Sequence, residues 1–532
     1  MTNSSPVKTD RTMLFIVIYT TVIAAAVRLA MPLNSPVPLN DGGLFYSMIQ
    51  DFQKNGFSLP LYTSYNLDHI PLVYPPLSFY FTALLSTLFH LPVLDLLRLL
   101  PPILSVLCIP AFYMLARELL ESEAAVALAV VIFAFIPRTF DWLIMGAGLT
   151  RATGFFFALL AIRQIYLVFT KGSNRNLVLA ILFCALTVYS HPEAATHTVI
   201  AALFFYVMKD RTLKGLGRGA MIALGVAALT APWWLAAILR HGPTTLVAPF
   251  TSARHDSQGL FFRLISLFQF NFTDEYFMTV LGVLTCLGAA VVLVRRQYFL
   301  PAWVAVDYLI EPRGGMLYIM IPAAILAAIA LDSMVLPVLR SSSFAGVQNI
   351  GTWLSRLLAG RAARWFLGVL ILYCFLSAVL VSFQVLNKIS VRPPDLEAFQ
   401  WVRENTQPGD QFALLTGENP LRDASSEWFP ALTERKSLAT VFGYEWVQDG
   451  RFGQRIQEYK DLQACRSGDE TCLNAWSEAA GQTIDYVYIR KIVDGRPDVP
   501  ALAAYLSISD KYQQVYSTNA VVIFRRLESQ AP

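Results

Sequence analysis

Charge is scarce in this chain. Of its 532 residues only 15% are Asp, Glu, Lys or Arg, 55% are hydrophobic, and the mean hydropathy is +0.50. Water-soluble chains of this size carry about a quarter charged residues, so a single soluble globular protein is excluded. Cysteine and histidine are also few, at six each, which excludes a disulfide-dense scaffold and a multi-zinc protein. There is no HExxH motif, no internal repeat and no long low-complexity segment, so zincin and solenoid architectures fall away as well.

What charge there is lies unevenly. Residues 391–532 hold 20 acidic and 15 basic side chains, the density of an ordinary soluble domain, while the preceding 390 residues hold only 17 acidic and 26 basic ones. The formal +4 is therefore +9 on the apolar part and −5 on the tail. A nucleic-acid-binding surface is not expected, because the basic excess sits in loops between apolar runs.

The run Met13 to Met31 has about the 20 residues needed to cross a bilayer and follows Lys8 and Arg11, which reads as an uncleaved first span. Further apolar runs lie near residues 75–91, 97–116, 122–137, 152–170, 175–190, 193–208, 217–239, 277–294, 298–310, 315–337 and 365–387. Basic clusters mark the cytoplasmic side at Lys171 and Arg175, at Lys209, Arg211, Lys214 and Arg218, at Arg295 and Arg296, and at Arg340, Arg356, Arg361 and Arg364. If every run crossed, parity would place Lys171 and Arg175 outside, so one run does not cross. Pro75 to Leu91 opens with Tyr74-Pro75-Pro76 and is rich in Ser, Thr and aromatics, and is assigned to an outer-face juxtamembrane helix.

The expected fold is a polytopic α-helical bundle of about 11 transmembrane helices over residues 1–389, followed by an extracytoplasmic α/β domain over 390–532. The amino terminus is then cytoplasmic, and residues 32–92 form a long first outer loop with juxtamembrane helices. In the tail, Pro394 to Thr406 reads as an amphipathic helix, Gln411 to Thr416 and Thr483 to Lys491 as strands, and Gln513 to Arg525 as a hairpin around Asn519. Cys465 and Cys472 are positioned to pair in an oxidising compartment, whereas Cys108, Cys184, Cys286 and Cys374 read as small core residues.

The first outer loop contains Asn40-Asp41-Gly42-Gly43 ahead of apolar residues at helical spacing. Asp41 reads either as that helix's N-cap or as a carboxylate held at the membrane boundary. Asp51 and Asp68 read as solvated loop carboxylates.

Three short stretches in order, Asn40-Asp41, Tyr74-Pro75-Pro76-Leu77 and Arg98-Leu99-Leu100-Pro101, resemble the GT-C superfamily of membrane glycosyltransferases, in particular its protein O-mannosyltransferase and lipid A aminoarabinose transferase branch. The likeness covers roughly residues 10 to 210. It implies a sugar donor linked to polyprenyl phosphate, a glycan, lipid or protein acceptor, and transfer at the outer face of the cell membrane, with inversion at the anomeric carbon. It maps the catalytic base onto Asp41 and the lipid-phosphate arginines onto Arg313, in Glu311-Pro312-Arg313, and Arg98.

Arg138 and Arg151 flank the second outer loop and join Tyr74, His191 and Glu193 as further substrate-binding candidates. In the oligosaccharyltransferase branch that loop carries paired acidic metal ligands. Here Asp141 is its only acid, so a metal-independent mechanism with no cofactor is expected, Asp41 and Asp141 being the acids available to an ion. His191 and His197 stand about 120° apart on a helix and do not converge. Ser190 and Glu193 fit a capping box with Pro192 in the first turn, which opens a helix and offers its amino terminus to an anion. The loop from Arg240 to Glu275 reads as a cover for the cavity.

Two rival functions are a flippase or transporter of lipid-linked glycans and a membrane-anchored binding or sensor protein. Transporters tend to have repeated halves and broken helices, and neither pattern is seen here. In a sensor, Asp41 would be a cap alone. The aromatic segments at Ser425 to Pro430 and Phe442 to Trp446 read as buried core rather than a binding surface.

Overall fold

The structure is a computed structural model that describes residues 11–247, 279–341, 353–447, 451–493, 496–498 and 500–527. The candidate cover loop lies mostly outside the described residues.

Apolar runs without nearby water must satisfy their backbone internally, and they do so here as helices. They are α1 (Arg11–Asn34), α2 (Gly43–Lys54), α3 (Leu77–Phe89), α4 (Val93–Leu119), α5 (Glu123–Phe135), α6 (Gly148–Lys171), α7 (Asn174–Ser190), α8 (Pro192–Lys209) and α9 (Leu213–His241). After them come α10 (Thr279–Val294), α11 (Phe299–Ile310), α12 (Pro312–Tyr318), α13 (Met320–Ala330) and α14 (Arg361–Ile389). Among the described residues six helices are long and apolar enough to cross a membrane, and several shorter apolar helices pack between them.

Exposure follows a lipid-facing logic. On α1, Leu14, Phe15, Ile18, Tyr19 and Val22 all point outward, which water would penalise and hydrocarbon does not. The centre of the bundle is α5 and α13, both rich in Ala and buried almost all round. Small residues let backbones close up there: a Cβ at Gly288 would stand 1.9 Å from the Leu326 carbonyl oxygen. Cys108, Cys184 and Cys374 are buried as expected, but Cys286 is exposed on the outer side of α10.

Arg28 is a charged side chain inside α1 with no exposure at all. Its guanidinium donates to Ser105 on α4, to the Ala134 carbonyl (2.9 Å) on α5 and to the Thr139 hydroxyl (3.3 Å), and it lies 5.0 Å from the Phe140 ring centre. A buried charge is tolerated only when so paired, and this one fixes the turn at 137–139 against two helices.

The C-terminal part is α/β. Helix α15 (Pro393–Asn405) is followed by β1 (Gln411–Leu415), α16 (Ala424–Thr433), β2 (Lys436–Ser437), α17 (Arg451–Ala464), α18 (Glu470–Ala480), β3 (Tyr486–Arg490), α19 (Ala501–Ile508), β4 (Tyr512–Ser517) and β5 (Val521–Arg526). The sheet order is β2-β1-β3-β5-β4, parallel through β2, β1 and β3 and antiparallel beyond. Strand β3 is buried on both faces, as a central strand covered by helices must be. The strands fall where the sequence pattern places them, and Cys465 and Cys472 form a disulfide.

This α/β part seats on the first loop. Tyr65 donates to the Glu427 carbonyl (2.8 Å), and Asn66 exchanges two hydrogen bonds with the Ser437 backbone (2.9 and 2.7 Å). Asp68 pairs with Lys436 at 3.0 Å and accepts from Tyr444 at 3.0 Å. The solvated reading of Asp68 is thereby corrected. Asp51 is corrected too: it is buried and accepts from the Thr63 hydroxyl and the Ser64 N–H, both at 2.8 Å, which folds residues 55–64 back onto α2.

Candidate functional site

The segment 39–43 carries Asp41 along a path that only small residues permit. Asn40 has φ +55° and Gly42 φ +134°, both in the left-handed half of the map, where Asn and Gly are the favoured residues. Gly146 passes so close that a Cβ on it would lie 1.9 Å from the Asp41 carbonyl oxygen. One ladder-like bond, Gly146 N–H to the Leu39 carbonyl (2.9 Å), pins the two segments together.

Asp41 does not cap α2. The residue at that N-cap is Gly42, with no side-chain cap. Instead Asp41, 7% exposed, accepts from the Ala147 N–H at 3.1 Å, at the amino terminus of α6. Its other oxygen accepts both terminal nitrogens of Arg151, each at 3.4 Å. Arg151 lies over the Trp142 ring at 5.4 Å and is close enough to Tyr74 and Glu193 to interact with both electrostatically. The fold thus joins Asp41, Arg151, Tyr74 and Glu193, four of the candidate residues, drawn from distant stretches of chain.

Tyr74, just before α3, donates or accepts with Thr150 at 3.2 Å and packs against Phe45, Phe79, Trp446 and His191. Burial pushes its hydroxyl up to about 12, so it stays a neutral phenol. His191 precedes α8 as its N-cap residue, and Pro192 takes the first helical position as expected. The capping box is corrected: α8 has no side-chain cap, and Ser190 turns back to the Leu186 carbonyl (2.6 Å). The extended His191 backbone between two helices leaves Ser190 on the last turn of α7, out of reach of α8's amides.

The other candidates lie on other segments of the chain. Arg98 pairs with Asp95 at 2.8 Å and donates to the Ser35 carbonyl at 3.0 Å, so it braces the start of the loop. Arg138 is half-buried in the turn that Arg28 holds. Asp141 is buried and accepts from the Trp142 N–H at 2.7 Å. Arg313 lies on α12, and its side chain is outside the described residues.

One residue of the site escapes sequence reasoning. Glu427, on α16, is 2% exposed and accepts from the backbone N–H of Gly42 (2.8 Å) and Leu44 (3.4 Å), taking the capping role that Asp41 does not. Its Oε2 is buried and has no hydrogen-bond partner among the described residues. Burial first, and then the nearby Asp41 charge, hold the carboxyl well above the ordinary carboxylate range. Beside it Trp428, fully buried, donates to the Asn40 carbonyl at 2.9 Å. The Asp-Ala-Ser-Ser-Glu-Trp pattern signals a helix start there, and nothing local points to residues 40–44.

Residues 73–236 match the dolichyl-phosphate-mannose-protein mannosyltransferase family. No curated protein matches the chain in sequence. Among solved structures the chain is similar to ArnT from Cupriavidus metallidurans bound to undecaprenyl phosphate, at 14% identity over 98% of this chain and 100% of that one, with a TM-score of 0.55. The apo state of the same enzyme gives 13% identity, 97% and 98% coverage and a TM-score of 0.56. The arabinofuranosyltransferase AftD from Mycobacteria gives 16% identity and a TM-score of 0.55, over 95% of this chain and 40% of that one. At these identities the likeness is one of fold: the chain is a multi-pass membrane protein with the GT-C fold.

Proposed function

We propose that the chain is a membrane glycosyltransferase that moves a sugar from a polyprenyl-phosphate donor to an acceptor hydroxyl, with inversion. The observation that carries this reading is the Asp41–Arg151 pair, with Asp41 buried and Arg151 half-buried, in the segment on which the α/β part seats. The family match over 73–236 and the undecaprenyl phosphate named with the ArnT structure support the same donor class.

In this reaction the acceptor oxygen bonds to the anomeric carbon as the bond from that carbon to the phosphate oxygen breaks. The bonding electrons leave with the lipid phosphate, and the acceptor proton passes to the Asp41 carboxylate. Arg151 and the fixed Ala147 N–H hold the direction of that carboxylate. The departing phosphate needs cationic stabilisation, for which Arg313, Arg138 and Arg151 are the proposed groups and Arg98 a support of the loop.

We place this end of the bundle on the outer face. The disulfide Cys465–Cys472 belongs to the part seated on Asp41's loop, and disulfides persist in oxidising compartments. Helix α6 runs from Asp41's neighbourhood to Lys171 over 24 residues, about 36 Å, so Lys171 lies at the opposite end, where the basic loops are expected inside.

The test is transfer by purified Asp41→Asn protein in lipid nanodiscs with a polyprenyl-phosphate sugar. A fall of about 10² to 10⁴ is expected from losing a general base. Full activity in a folded variant would remove the assigned base.

A further inference from the structure

Asp41 sits in a stretch, 39–42, that belongs to neither a helix nor a strand, so no regular hydrogen-bond ladder fixes its backbone. Single contacts do so instead, peptide unit by peptide unit, each unit being planar and turning as one body. The two outer units are held by neighbours in the membrane part. The Leu39 carbonyl accepts from the Gly146 N–H at 2.9 Å, and the Gly42 carbonyl accepts from the Tyr46 N–H at 2.8 Å.

The two units that meet at the Asp41 Cα are held from elsewhere. The one before it presents the Asn40 carbonyl to Trp428 Nε1 at 2.9 Å, and the one after it presents the Gly42 N–H to Glu427 Oε1 at 2.8 Å. The planes of these two units define φ and ψ of Asp41, and with them the direction in which its Cα–Cβ bond leaves the chain. Both holders are consecutive residues of α16, 388 and 385 residues away from the groups they hold.

Helix α16 is suited to the task. Asp423 caps it by accepting the Ser426 N–H at 3.1 Å, and every residue from Ala424 to Ala431 is buried. Groups carried on a packed helix are held more closely than groups on a loop. The loop needs such a holder: Asn40 at φ +55° and Gly42 at φ +134° flank Asp41, and left-handed backbone at a residue other than glycine persists where its surroundings hold it.

We propose that Glu427 and Trp428 are positioning residues for the transfer reaction, aiming the Asp41 carboxylate at the acceptor hydroxyl through the two peptide units that flank it. This rests on Asp41 as the base, and it makes the α/β part a component of the reacting centre. The effect falls on the rate and is exerted through Asp41, with no contact to donor or acceptor required. A misplacement of about 1 Å costs about 10²-fold in rate and leaves substrate binding nearly unchanged.

The experiment uses the full chain in lipid nanodiscs with a panel of undecaprenyl-phosphate hexoses and pentoses, read as single-turnover loss of donor. Glu427→Ala and Trp428→Phe are expected to lower the rate about 10- to 100-fold at unchanged amplitude and unchanged donor affinity, and Glu427→Gln to recover most of that loss. A defect of folding alone would lower the amplitude and spare the rate. In an Asp41→Asn background Glu427→Ala should add no further loss, because it acts through Asp41. Where Glu427→Ala does not fold, Trp428→Phe carries the same comparison. Hydrogen exchange of residues 39–44 gives a reading without substrate, faster in both variants and restored in Glu427→Gln. Wild-type rates or wild-type exchange in the folded variants, a loss of amplitude alone, or losses that add to that of Asp41→Asn overturn the proposal and leave the base in place. Asp41→Asn at the wild-type rate removes the base itself, and with it the group being aimed.

Discussion

The Glu427 carboxyl oxygen accepts the backbone N–H of Gly42 at 2.8 Å, a contact across 385 residues that seats the C-terminal part directly beside Asp41. Three neighbours reinforce it: the indole of Trp428 on the Asn40 carbonyl, Tyr65 on the Glu427 carbonyl, and Gly43, where a Cβ would lie 2.5 Å from that same oxygen. The loop that carries the proposed base is therefore shaped from both ends of the chain.

Glu427 should behave as a neutral acid. Glu427→Gln keeps an oxygen for the two N–H groups and is expected to change stability by less than about 1 kcal/mol, whereas Glu427→Ala leaves the buried amides unsatisfied at a cost of about 1–3 kcal/mol. Thermal unfolding of both variants in detergent checks this, and equal losses would refute the acceptor role.

The raised carboxyl of Glu427 also sets a sign for pH. The native state holds this proton more tightly than the unfolded chain, where a glutamate titrates near about 4.3. Stability from this group is complete below that value and is lost as pH rises through the folded value. The unfolding temperature should therefore fall on alkalinisation, with a shallower slope in Glu427→Gln. Identical slopes in the two proteins would show that Glu427 is already ionised.

Arg151→Lys tests geometry separately from charge. The fork places two nitrogens on one Asp41 oxygen, and an ammonium offers a single point. Transfer is expected to drop at least about tenfold with little change in unfolding temperature. An unimpaired Lys variant would mean that only the net charge matters.

The glycines give a paired prediction. Gly146→Ala drives a Cβ into the Asp41 carbonyl and should destabilise by about 1–3 kcal/mol or displace the loop. Gly217, on α9, has nothing within 4 Å of where a Cβ would stand, so Gly217→Ala should be neutral or stabilising by about 0.5–1 kcal/mol. Thermal unfolding ranks the two, and the reverse order would contradict the close passage at Gly146.

Orientation is open to chemical labelling. In intact cells a membrane-impermeant reductant followed by an impermeant maleimide should modify Cys465 and Cys472, and the maleimide alone should not. Labelling that requires lysed cells would put the α/β part inside and reverse the proposed placement.

What is legible in the sequence is what local spacing dictates. Tyr74-Pro75-Pro76 marks the start of α3 because proline sets the backbone before a helix, and alternation marks β1 and β3. Asp41 stands out through its resemblance motif, and Arg151 as a loop-flanking cation, but nothing in the sequence says that the two meet across 110 residues. Asp68 looks like a surface acid by composition, and Glu427 lies in a segment read as core with no sign of what it meets. Their burial comes from the seating of the α/β part on the first loop, a tertiary contact that no window of sequence contains. The capping box at Ser190 fails for a local reason, one extended residue at His191 that splits α7 from α8.

The seat made by Glu427 and Trp428 restricts how this protein can be rebuilt from modules. A chimera that exchanges the C-terminal region with that of a relative would strip the Asn40–Leu44 turn of its wedge unless that turn travelled with it. Swaps of this region should therefore transplant the two segments as one unit, even though 385 residues separate Gly42 from Glu427.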